Sequence, residues 1–306
     1  MTHFKRVVAL SGGVGGAKLV DGLAQVLPAD ALTVVVNTGD DFVHWGLSVS
    51  PDLDTVMYTL SGLAHPTQGW GLADESWNAF AMVERLGGPA WFRLGDRDLG
   101  VHLMRTKRLA AGESLTDITA DLCRALGVGP RVLPMCDQRR ATKLDTDAGT
   151  LDFQNWLVGR HGAPTVEAVW WTGEADASPA VLAAIRDADL VVIGPSNPYV
   201  SIDPILELDG VRDALEGRFV VGVSPLVGGR AVKGPLAEMI PSLARREPST
   251  DAIAEHYAGL LRGLVVETGD RTAACPTLET RTVMTTLDDR ARLAGEVIAF
   301  AEELRA

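Results

Sequence analysis

The chain has 306 residues, of which 46% are hydrophobic, and a formal net charge of -12 at pH 7. This length can bury a large core, and we expect one α/β domain that spans residues 1–306. The negative charge would repel a phosphate backbone over most of the surface, so nucleic acid is not an expected partner.

Six short runs of mainly β-branched residues predict buried parallel strands. They are residues 7–10, 32–36, 166–171, 190–193, 219–223 and 264–266. Helical stretches lie between them, and the first carries apolar residues at i, i+1, i+4, i+7 and i+8 from Leu19. This alternation predicts a Rossmann-like α/β fold, in which a doubly wound, mostly parallel sheet lies between two helical layers as a three-layer sandwich.

Two segments depart from the alternation of strands and helices. Residues from about 55 to 130 have helical spacing and almost no strand signal, which predicts a mostly helical insertion over one end of the sheet. Residues 142–157 mix polar and apolar side chains around the turn DTDAG at 145–149. This pattern predicts an antiparallel hairpin.

The first predicted strand leads directly into a glycine-rich segment, SGGVGGAK at residues 11–18, where a helix begins. Glycines allow backbone N–H groups to face a ligand at the positive helix terminus, and Lys18 adds charge. The Walker pattern is absent, because Ala17 precedes Lys18 and Leu19 replaces the hydroxyl residue. Lys18 also replaces the third glycine of the dinucleotide fingerprint. We predict an anion cradle with the glycines Gly12, Gly13, Gly15 and Gly16, the alternative being a tight turn that binds nothing.

Carboxylates follow the second predicted strand. Asp40 and Asp41 end the segment NTGDD, and Asp52 and Asp54 open the next helix within SPDLDT. Because neighbouring parallel strands end at one crevice, we expect these side chains near the glycine segment. Such oxygen ligands beside a phosphate cradle predict Mg²⁺ bound by one or two carboxylates and substrate phosphate. Alternatively, Ser50 caps the helix, Asp52 meets its dipole and the earlier pair is a solvated turn.

Two later segments are also predicted to reach this crevice. In GPSNP at residues 194–198, Ser196 and Asn197 either hold a nucleotide base or only form a turn. The glycine-rich basic stretch at residues 228–235 includes Lys233, which either binds a second phosphate or carboxylate or is a surface cation.

The predicted helical insertion carries Asp98 and His102, which are either substrate contacts or an ordinary surface ion-pair cluster. His44, Trp45 and Trp70 offer flat surfaces for stacking, although tryptophans more often belong to a core. The sequence contains no Gly-x-Ser-x-Gly elbow and no spaced Cys-His set. No covalent nucleophile is therefore predicted.

The compartment can be predicted from what the chain lacks. No run approaches the roughly 18 apolar residues of a membrane helix, and the apolar run after Lys5 and Arg6 ends too early for a signal peptide. The three cysteines are odd in number and far apart: Cys123, Cys136 and Cys275. They predict buried thiols in a reducing compartment, so we expect a cytoplasmic protein without membrane partners.

Six segments together resemble the 2-phospho-L-lactate transferase family of coenzyme F420 biosynthesis. They are the glycine segment, NTGDD, PDLDT, GDRD at residues 95–98, GPSNP and VKGP at residues 232–235. Each is unspecific alone, but the six in this order are specific and cover nearly the whole chain.

The resemblance implies a dimeric enzyme that uses a guanosine diphosphate-activated lactate, enolpyruvate or glycerate unit. Such an enzyme transfers the phospho-acid to the ribityl hydroxyl of the deazaflavin Fo and releases GMP. Asp41 and Asp54 are then expected to hold Mg²⁺ and to be catalytic together with Lys18. The glycines, Ser196 and Asn197 are expected to contact the donor, and the aromatic and helical region to cover Fo. The further expected substrate contacts are Asp40, Asp52, Asp98, His102 and Lys233.

Two other functions, a nucleotide-sugar-binding regulator and an oxidoreductase, are alternatives to the transferase. A related family of nucleotide-sugar-binding regulators has a similar core but places glycines and serines directly after its aspartates. Here FVHW follows at residues 42–45, which favours the enzyme. A Rossmann oxidoreductase is disfavoured by the missing dinucleotide fingerprint. The sequence distinguishes neither the donor acid nor whether Asp40, Asp98 or neither acts as a base.

Overall fold

The structure is a computed structural model that describes residues 3–306. In that range the strands, in chain order, are β1 (Val7–Ser11), β2 (Leu32–Val36), β3 (Phe42–His44), β4 (Leu47–Val49), β5 (Arg131–Pro134), β6 (Ala141–Thr146), β7 (Gly149–Asp152), β8 (Val166–Thr172), β9 (Leu190–Ile193), β10 (Val220–Val223), β11 (Leu226–Val227), β12 (Arg230–Ala231), β13 (Gly263–Glu267) and β14 (Thr277–Thr280).

The α-helices of the same range are α1 (Gly13–Val26), α2 (Pro51–Leu60), α3 (Asn78–Arg85), α4 (Asp96–Ala110), α5 (Leu115–Ala125), α6 (Pro179–Asp187), α7 (Asp203–Leu206), α8 (Val211–Leu215), α9 (Leu236–Ala244), α10 (Thr250–His256) and α11 (Leu287–Arg305). Short 3-10 or π-helical turns lie at Ala29–Ala31, Asn155–Gly159 and Pro198–Ile202. None of these helices is both long enough and apolar enough to cross a membrane.

A sheet of 7 strands, in the order β14-β13-β10-β9-β1-β2-β5, forms the centre of the fold. Every neighbouring pair is parallel, and Val7 of β1 lies between Leu32 of β2 and Leu190 of β9. The chain adds strands on one side of β1 first and then on the other, so the strand order reverses between β1 and β9. Ligands of open α/β sheets bind beyond the carboxyl ends of the strands at such a reversal.

Helices cover both faces of this sheet, and the side chains of β1 alternate between them. Val7 and Ala9 pack in a cluster with residues of α1, α2 and α11, whereas Val8 and Leu10 pack with residues of α6, α8 and α10. All five residues of β1 are buried. The predicted three-layer α/β sandwich with a Rossmann-like parallel sheet is confirmed.

The predicted helical insertion is also present. Four helices, α2 to α5, lie between β4 and β5 and occupy much of residues 51–125. The hairpin of β3 and β4 precedes them, and its first strand follows directly after Asp41. The insertion therefore begins at the carboxyl end of β2, where the acidic segment lies.

The prediction of a parallel strand at residues 166–171 is wrong. β8 pairs antiparallel with β6, in a separate sheet ordered β7-β6-β8. Only Val166 of β8 is buried, because this small sheet is not covered by helices on both faces as the central one is. A β-branched run specifies an extended strand but not its partner. The predicted hairpin is confirmed as β6 and β7.

The predicted burial is confirmed for two of the three cysteines. Cys123 and Cys136 are buried, Cys275 is half-buried, and all three are free thiols. Burial raises the pKa of Cys123 to about 12 and, as its main cause, that of Cys136 to about 11. Thiols with such pKa values are poor nucleophiles at neutral pH.

Candidate active site

Two adjacent cavities lie beyond the carboxyl ends of the central strands. The larger has a volume of about 440 Å³ and is lined by the first turn of α1, the turn after β9 and the segments that precede α9 and α11. The smaller, of about 180 Å³, is lined by the turn after β2, the side chain of Trp91 and residues of β6 and β7. Asp40 lines both cavities. The site therefore has two compartments that share one carboxylate.

The glycine segment follows β1 and opens α1, as predicted. Gly13 has a φ of 64°, a left-handed conformation that favours glycine. A Cβ atom at Gly15 would lie 2.3 Å from the carbonyl oxygen of Pro195, and one at Gly16 would lie 2.6 Å from Ser196 Oγ. These glycines are therefore required for close packing of α1 on the turn after β9, in addition to any contact with an anion.

Part of the predicted anion cradle is bound by protein groups. The Gly13 amide donates to Asp52 Oδ1 at 2.8 Å, and the amide of Gly12 donates to Ser196 Oγ at 3.2 Å. Val14 and Gly15 also line the larger cavity, and N–H groups in the first helical turn have no acceptor within the helix. These amides give the cavity a positive end that suits phosphate oxygens.

Asp52 joins the glycine segment to the strand beside it. Its second oxygen accepts from Asn37 Nδ2 at 3.0 Å, and its side chain is buried. Burial raises the pKa of Asp52 to about 6 although both hydrogen bonds oppose the shift. The carboxylate caps α1 from a neighbouring helix, as well as meeting the dipole of α2 as the alternative interpretation proposed.

Two lysines lie at the larger cavity, and each is held by a backbone carbonyl. Lys18 Nζ donates to Met284 O at 2.6 Å, and Lys233 Nζ donates to Gln68 O. Burial lowers the pKa of both, and Arg290 and Lys233 lower that of Lys18 further. The structure thus brings both predicted cations to the cavity that the glycine segment opens.

Asp40 and Asp41 have oxygen atoms without protein partners. Asp40 is buried, Asp41 is partly exposed, and in each the Oδ1 atom is buried without a hydrogen bond within residues 3–306. Asp41 Oδ2 accepts from Ser50 Oγ at 2.6 Å. Burial and then the charge of Asp52 raise the pKa of Asp40 well above its ordinary value. Burial does the same for Asp41, against the Ser50 hydrogen bond and the Arg105 charge.

Asp54 faces the interior between α2 and α4. The Arg105 guanidinium grips both its oxygens, with Nη1 at 3.1 Å from Oδ2 and Nη2 on Oδ1. His102 is buried beside this pair, with Nδ1 at 3.6 Å from Asp54 Oδ2 and Nε2 at 3.6 Å from Asp98 Oδ1. Asp54, Asp98 and His102 line neither cavity. Asp98 and His102 thus belong to a buried cluster, and their predicted contact with substrate has no support in this geometry.

The donor set fits Mg²⁺ better than it fits a closed metal cage. Within residues 3–306, no three His, Cys, Asp or Glu side chains are arranged to hold a metal ion. Mg²⁺ is commonly held by one or two carboxylates with substrate phosphates and water, and the unpartnered Oδ1 atoms of Asp40 and Asp41 suit that mode. A carboxylate has about four lone-pair sites, so the two bonds from Arg105 leave Asp54 able to be a ligand. Asp41 and Asp54 remain predicted ligands, and Asp40 joins them as a candidate.

Other predicted contacts fall into two groups. Ser196 and Asn197 line the larger cavity, where Ser196 Oγ also donates to Gly12 O at 2.7 Å. Trp70 lines the same cavity and is 48% exposed. His44 is buried against Trp91, with ring centroids 5.2 Å apart, and lines neither cavity.

The sequence interpretation missed several residues at the site. It gave Asn37 no role of its own, considered Ser50 only as a helix cap and did not consider Arg105. Asp98, His102 and Arg105 are spaced four and three residues apart, so helical periodicity places them on one face of α4. That spacing was a usable signal for a buried cluster.

The chain is similar in sequence to known proteins over nearly its whole length. Residues 7–301 match the model of a family described as 2-phospho-L-lactate transferase CofD. A phosphoenolpyruvate transferase of Kitasatospora aureofaciens is 43% identical over 318 residues, which cover 98% of this chain and 99% of that protein. A 2-phospho-L-lactate transferase of Methanosarcina mazei is 36% identical over 301 residues, with 95% and 99% covered.

A solved structure shares the fold at low sequence identity. It is described as a member of the UPF0052 family from Bacillus halodurans and is 17% identical, with a TM-score of 0.64. The alignment covers 96% of this chain and 98% of that chain. This likeness supports the architecture of the central sheet and its helices.

Proposed function

Because this chain belongs to the 2-phospho-L-lactate transferase CofD family, we propose that it transfers a phospho-acid unit from a guanosine diphosphate-activated donor to the deazaflavin Fo. The acceptor atom is the ribityl hydroxyl oxygen, and GMP leaves. The reaction belongs to coenzyme F420 biosynthesis. The single observation that carries the proposal is that Asp40, with an unpartnered buried oxygen, borders both cavities.

The larger cavity is the proposed site of the donor. Its positive end, formed by the first turn of α1 with Lys18 and Lys233, suits a pyrophosphate. Ser196 and Asn197 add hydrogen-bonding groups, and Trp70 adds an aromatic wall against which a base can stack. Phosphate oxygens would replace the carbonyls that the two lysines now contact.

The smaller cavity is the proposed entry for the acceptor hydroxyl. Trp91 and Phe42 line it, with ring centroids 5.7 Å apart and ring planes tilted by 38°, and they offer apolar ring faces for a deazaflavin. Because Asp40 is common to both cavities, the hydroxyl and the donor phosphorus can meet beside it.

Mg²⁺ is the proposed cofactor, held by Asp41 and one further carboxylate, Asp40 or Asp54, together with the donor phosphates. When bound, it would neutralise charge on the phosphate oxygens. The protein's own groups bind and align the substrates. Backbone amides of α1 and the two lysines orient the donor, and the buried walls exclude water that could hydrolyse it.

The proposed transfer is a displacement at the phosphorus atom that carries the acid. The ribityl oxygen forms a bond to that phosphorus, and the bond to the bridging oxygen of the pyrophosphate breaks. The bridging oxygen keeps the electron pair and leaves as part of GMP, while the hydroxyl proton is lost to solvent or to a nearby carboxylate. Phosphoryl transfer needs little covalent help, which agrees with the absence of a predicted nucleophile.

Phosphoenolpyruvate is the proposed acid unit. The Kitasatospora relative named for phosphoenolpyruvate is more similar to this chain than the Methanosarcina relative named for phospholactate. The acids differ by few atoms, so a small number of contacts selects between them. A cytoplasmic homodimer remains part of the proposal on the basis of the family resemblance.

The test is a direct assay with Fo, Mg²⁺ and each of the three guanosine diphosphate-linked acids in parallel. We expect stoichiometric GMP release and a product mass equal to the sum of Fo and the phospho-acid less one water, with the fastest turnover on the enolpyruvate donor. Tight donor binding without turnover would favour the nucleotide-binding regulator instead. Omission of Mg²⁺ with excess chelator should abolish turnover.

A further inference from the structure

Arg105 is the one lysine or arginine of residues 3–306 that is buried, with 1% of its surface exposed. Its guanidinium contacts three elements: both oxygens of Asp54 in α2, the carbonyl oxygen of Ser48 in β4 at 3.4 Å, and His102 of its own helix at 3.3 Å. A charge is costly to bury unless it is paired, and the carboxylate of Asp54 supplies that pair.

The first turn of α2 connects Arg105 to the candidate site. Asp54 lies in this turn, and its amide donates to Ser50 O at 2.9 Å. Ser50 Oγ donates to Asp41 Oδ2 at 2.6 Å, and Asp52 accepts from the Gly13 amide at 2.8 Å. This helical turn therefore holds Asp41 through Ser50 and the glycine segment through Asp52, and Arg105 anchors the carboxylate of Asp54.

We propose that Arg105 is a positioning residue, which grips Asp54 and thereby fixes the first turn of α2 that orients Asp41 and Asp52. Arginine suits this task because its planar guanidinium donates two parallel hydrogen bonds to one carboxylate and so fixes its orientation. The inference rests on the proposed function only for the presence of a divalent metal. Groups that orient metal ligands typically change affinity or activity about 10- to 100-fold when altered.

If Arg105 served only to neutralise the charge of Asp54, a lysine at this position would replace it without loss. Lysine keeps the positive charge but loses the paired donors, so Arg105→Lys separates geometry from charge. Arg108 provides a matched control. It lies on α4 one turn further along, and its guanidinium contacts Glu113 at 2.8 Å and Asp121 at 2.7 Å near the surface.

The experiment measures Mn²⁺ binding by electron paramagnetic resonance in the presence of saturating GDP, whose phosphates complete the proposed coordination, with wild type, Arg105→Lys and Arg108→Lys and a protein-free Mn²⁺-GDP sample as the blank. We expect the dissociation constant to rise about 10-fold in Arg105→Lys, with a broadened spectrum of bound Mn²⁺, and to stay at the wild-type value in Arg108→Lys. Wild-type affinity and an unchanged spectrum in Arg105→Lys would overturn the positioning role. If wild type itself binds no Mn²⁺, the metal assignment in the proposed function fails and this inference fails with it.

A second variant covers the case in which Arg105→Lys does not fold. His102→Gln leaves the ion pair of Arg105 with Asp54 in place but removes the imidazole that supports the guanidinium from the side. We expect a smaller loss of Mn²⁺ affinity, about 3-fold, with native circular dichroism. Wild-type affinity in a folded His102→Gln would refute the positioning role in that case.

Discussion

The turn after β2 and the first turn of α2 carry the same residue type in different electrostatic situations. Asp40 and Asp41, after β2, each keep a buried oxygen without a protein partner. Asp52 and Asp54, in α2, have both oxygens engaged, the first by Gly13 and Asn37 and the second by Arg105. The first pair is therefore available to a ligand, while the second pair is held by the protein.

This difference shows that an acidic residue near a cavity is not enough to assign a role. The number of hydrogen bonds that a carboxylate already accepts from the protein distinguishes a carboxylate that can bind a metal or substrate from one that stabilises the structure. Burial of a carboxylate oxygen that accepts no hydrogen bond disfavours the charged form, and a cation or a proton relieves that cost. Five substitutions, three of carboxylates and two of lysines, test the distinction, from the largest expected effect to the smallest.

Asp54→Asn should have the largest effect on stability. It removes the charge that pairs with the buried guanidinium of Arg105, and loss of one partner of a buried ion pair costs about 3–5 kcal/mol. Urea unfolding monitored by circular dichroism measures this loss. Asp121→Asn, which alters a surface partner of Arg108, should leave the unfolding midpoint unchanged. An Asp54→Asn protein as stable as wild type would place Asp54 with the ligand-facing pair.

Asp40→Asn should instead lower activity strongly and raise stability. We expect kcat/KM to fall about 1000-fold, the loss of roughly one strong transition-state interaction. The metal-free protein should become more stable at pH 8. Because the pKa of Asp40 is raised in the folded state, ionisation at high pH opposes folding, and the gain should shrink as pH falls and the carboxyl group takes up its proton.

Thermal unfolding in chelator at pH 5 and pH 8, beside the transferase assay, checks both parts for Asp40→Asn. A large loss of stability with retained activity would contradict the prediction and would show that Asp40 has a structural role.

Asp52→Ala should lower both stability and activity, by less than Asp54→Asn lowers stability and by less than Asp40→Asn lowers activity. It leaves the Gly13 amide and one N–H of the Asn37 side chain without an acceptor, while the other still donates to Val200 O, and unsatisfied buried donors cost about 1–3 kcal/mol. Activity should fall mainly through a higher KM for the donor, because the glycine segment loses its anchor. Chemical unfolding and steady-state kinetics measure the two effects. Asp288→Ala, at an exposed acidic position in the first turn of α11, is the control and should change neither.

The sequence predicted the fold more completely than the site. Period and composition identified five of the central strands, since buried parallel strands are continuous apolar runs. The edge strands β5 and β14 were missed because RVLP and TLET carry too little apolar signal. The run at residues 166–171 was assigned to the wrong sheet, since an apolar run carries no information about its partner.

The site was predicted in its parts but not in its division of roles. Glycines, lysines and carboxylates were expected at one crevice, and most of them line it. The pairing of Asp54 with Arg105 joins residues 51 positions apart and depends on how α4 packs against α2. No local sequence pattern predicts such a contact. The spacing of Asp98, His102 and Arg105 predicts only that these residues share the face of α4 that contacts Asp54.

The two lysines test how far the comparison extends beyond carboxylates. Each donates to a backbone carbonyl, and a phosphate can replace that partner at little cost. Lys18 lies on α1 and is fixed by the helix, whereas Lys233 lies in the segment before α9. We expect Lys18→Ala to lower kcat/KM about 10- to 100-fold, and Lys233→Ala to lower it about 3- to 10-fold, mainly through KM.

Steady-state kinetics and calorimetric GDP binding separate the contributions of the two lysines. If transition-state charge is neutralised from the rigid helix, Lys18→Ala must lower kcat more than it weakens GDP binding. If Lys18→Ala and Lys233→Ala instead changed GDP affinity and kcat/KM by equal factors, both lysines would act only in binding. The protein groups that stabilise the transition state would then be confined to the backbone amides of α1, and the rule that weakly partnered side chains are the reactive ones would hold for Asp40 and Asp41 alone.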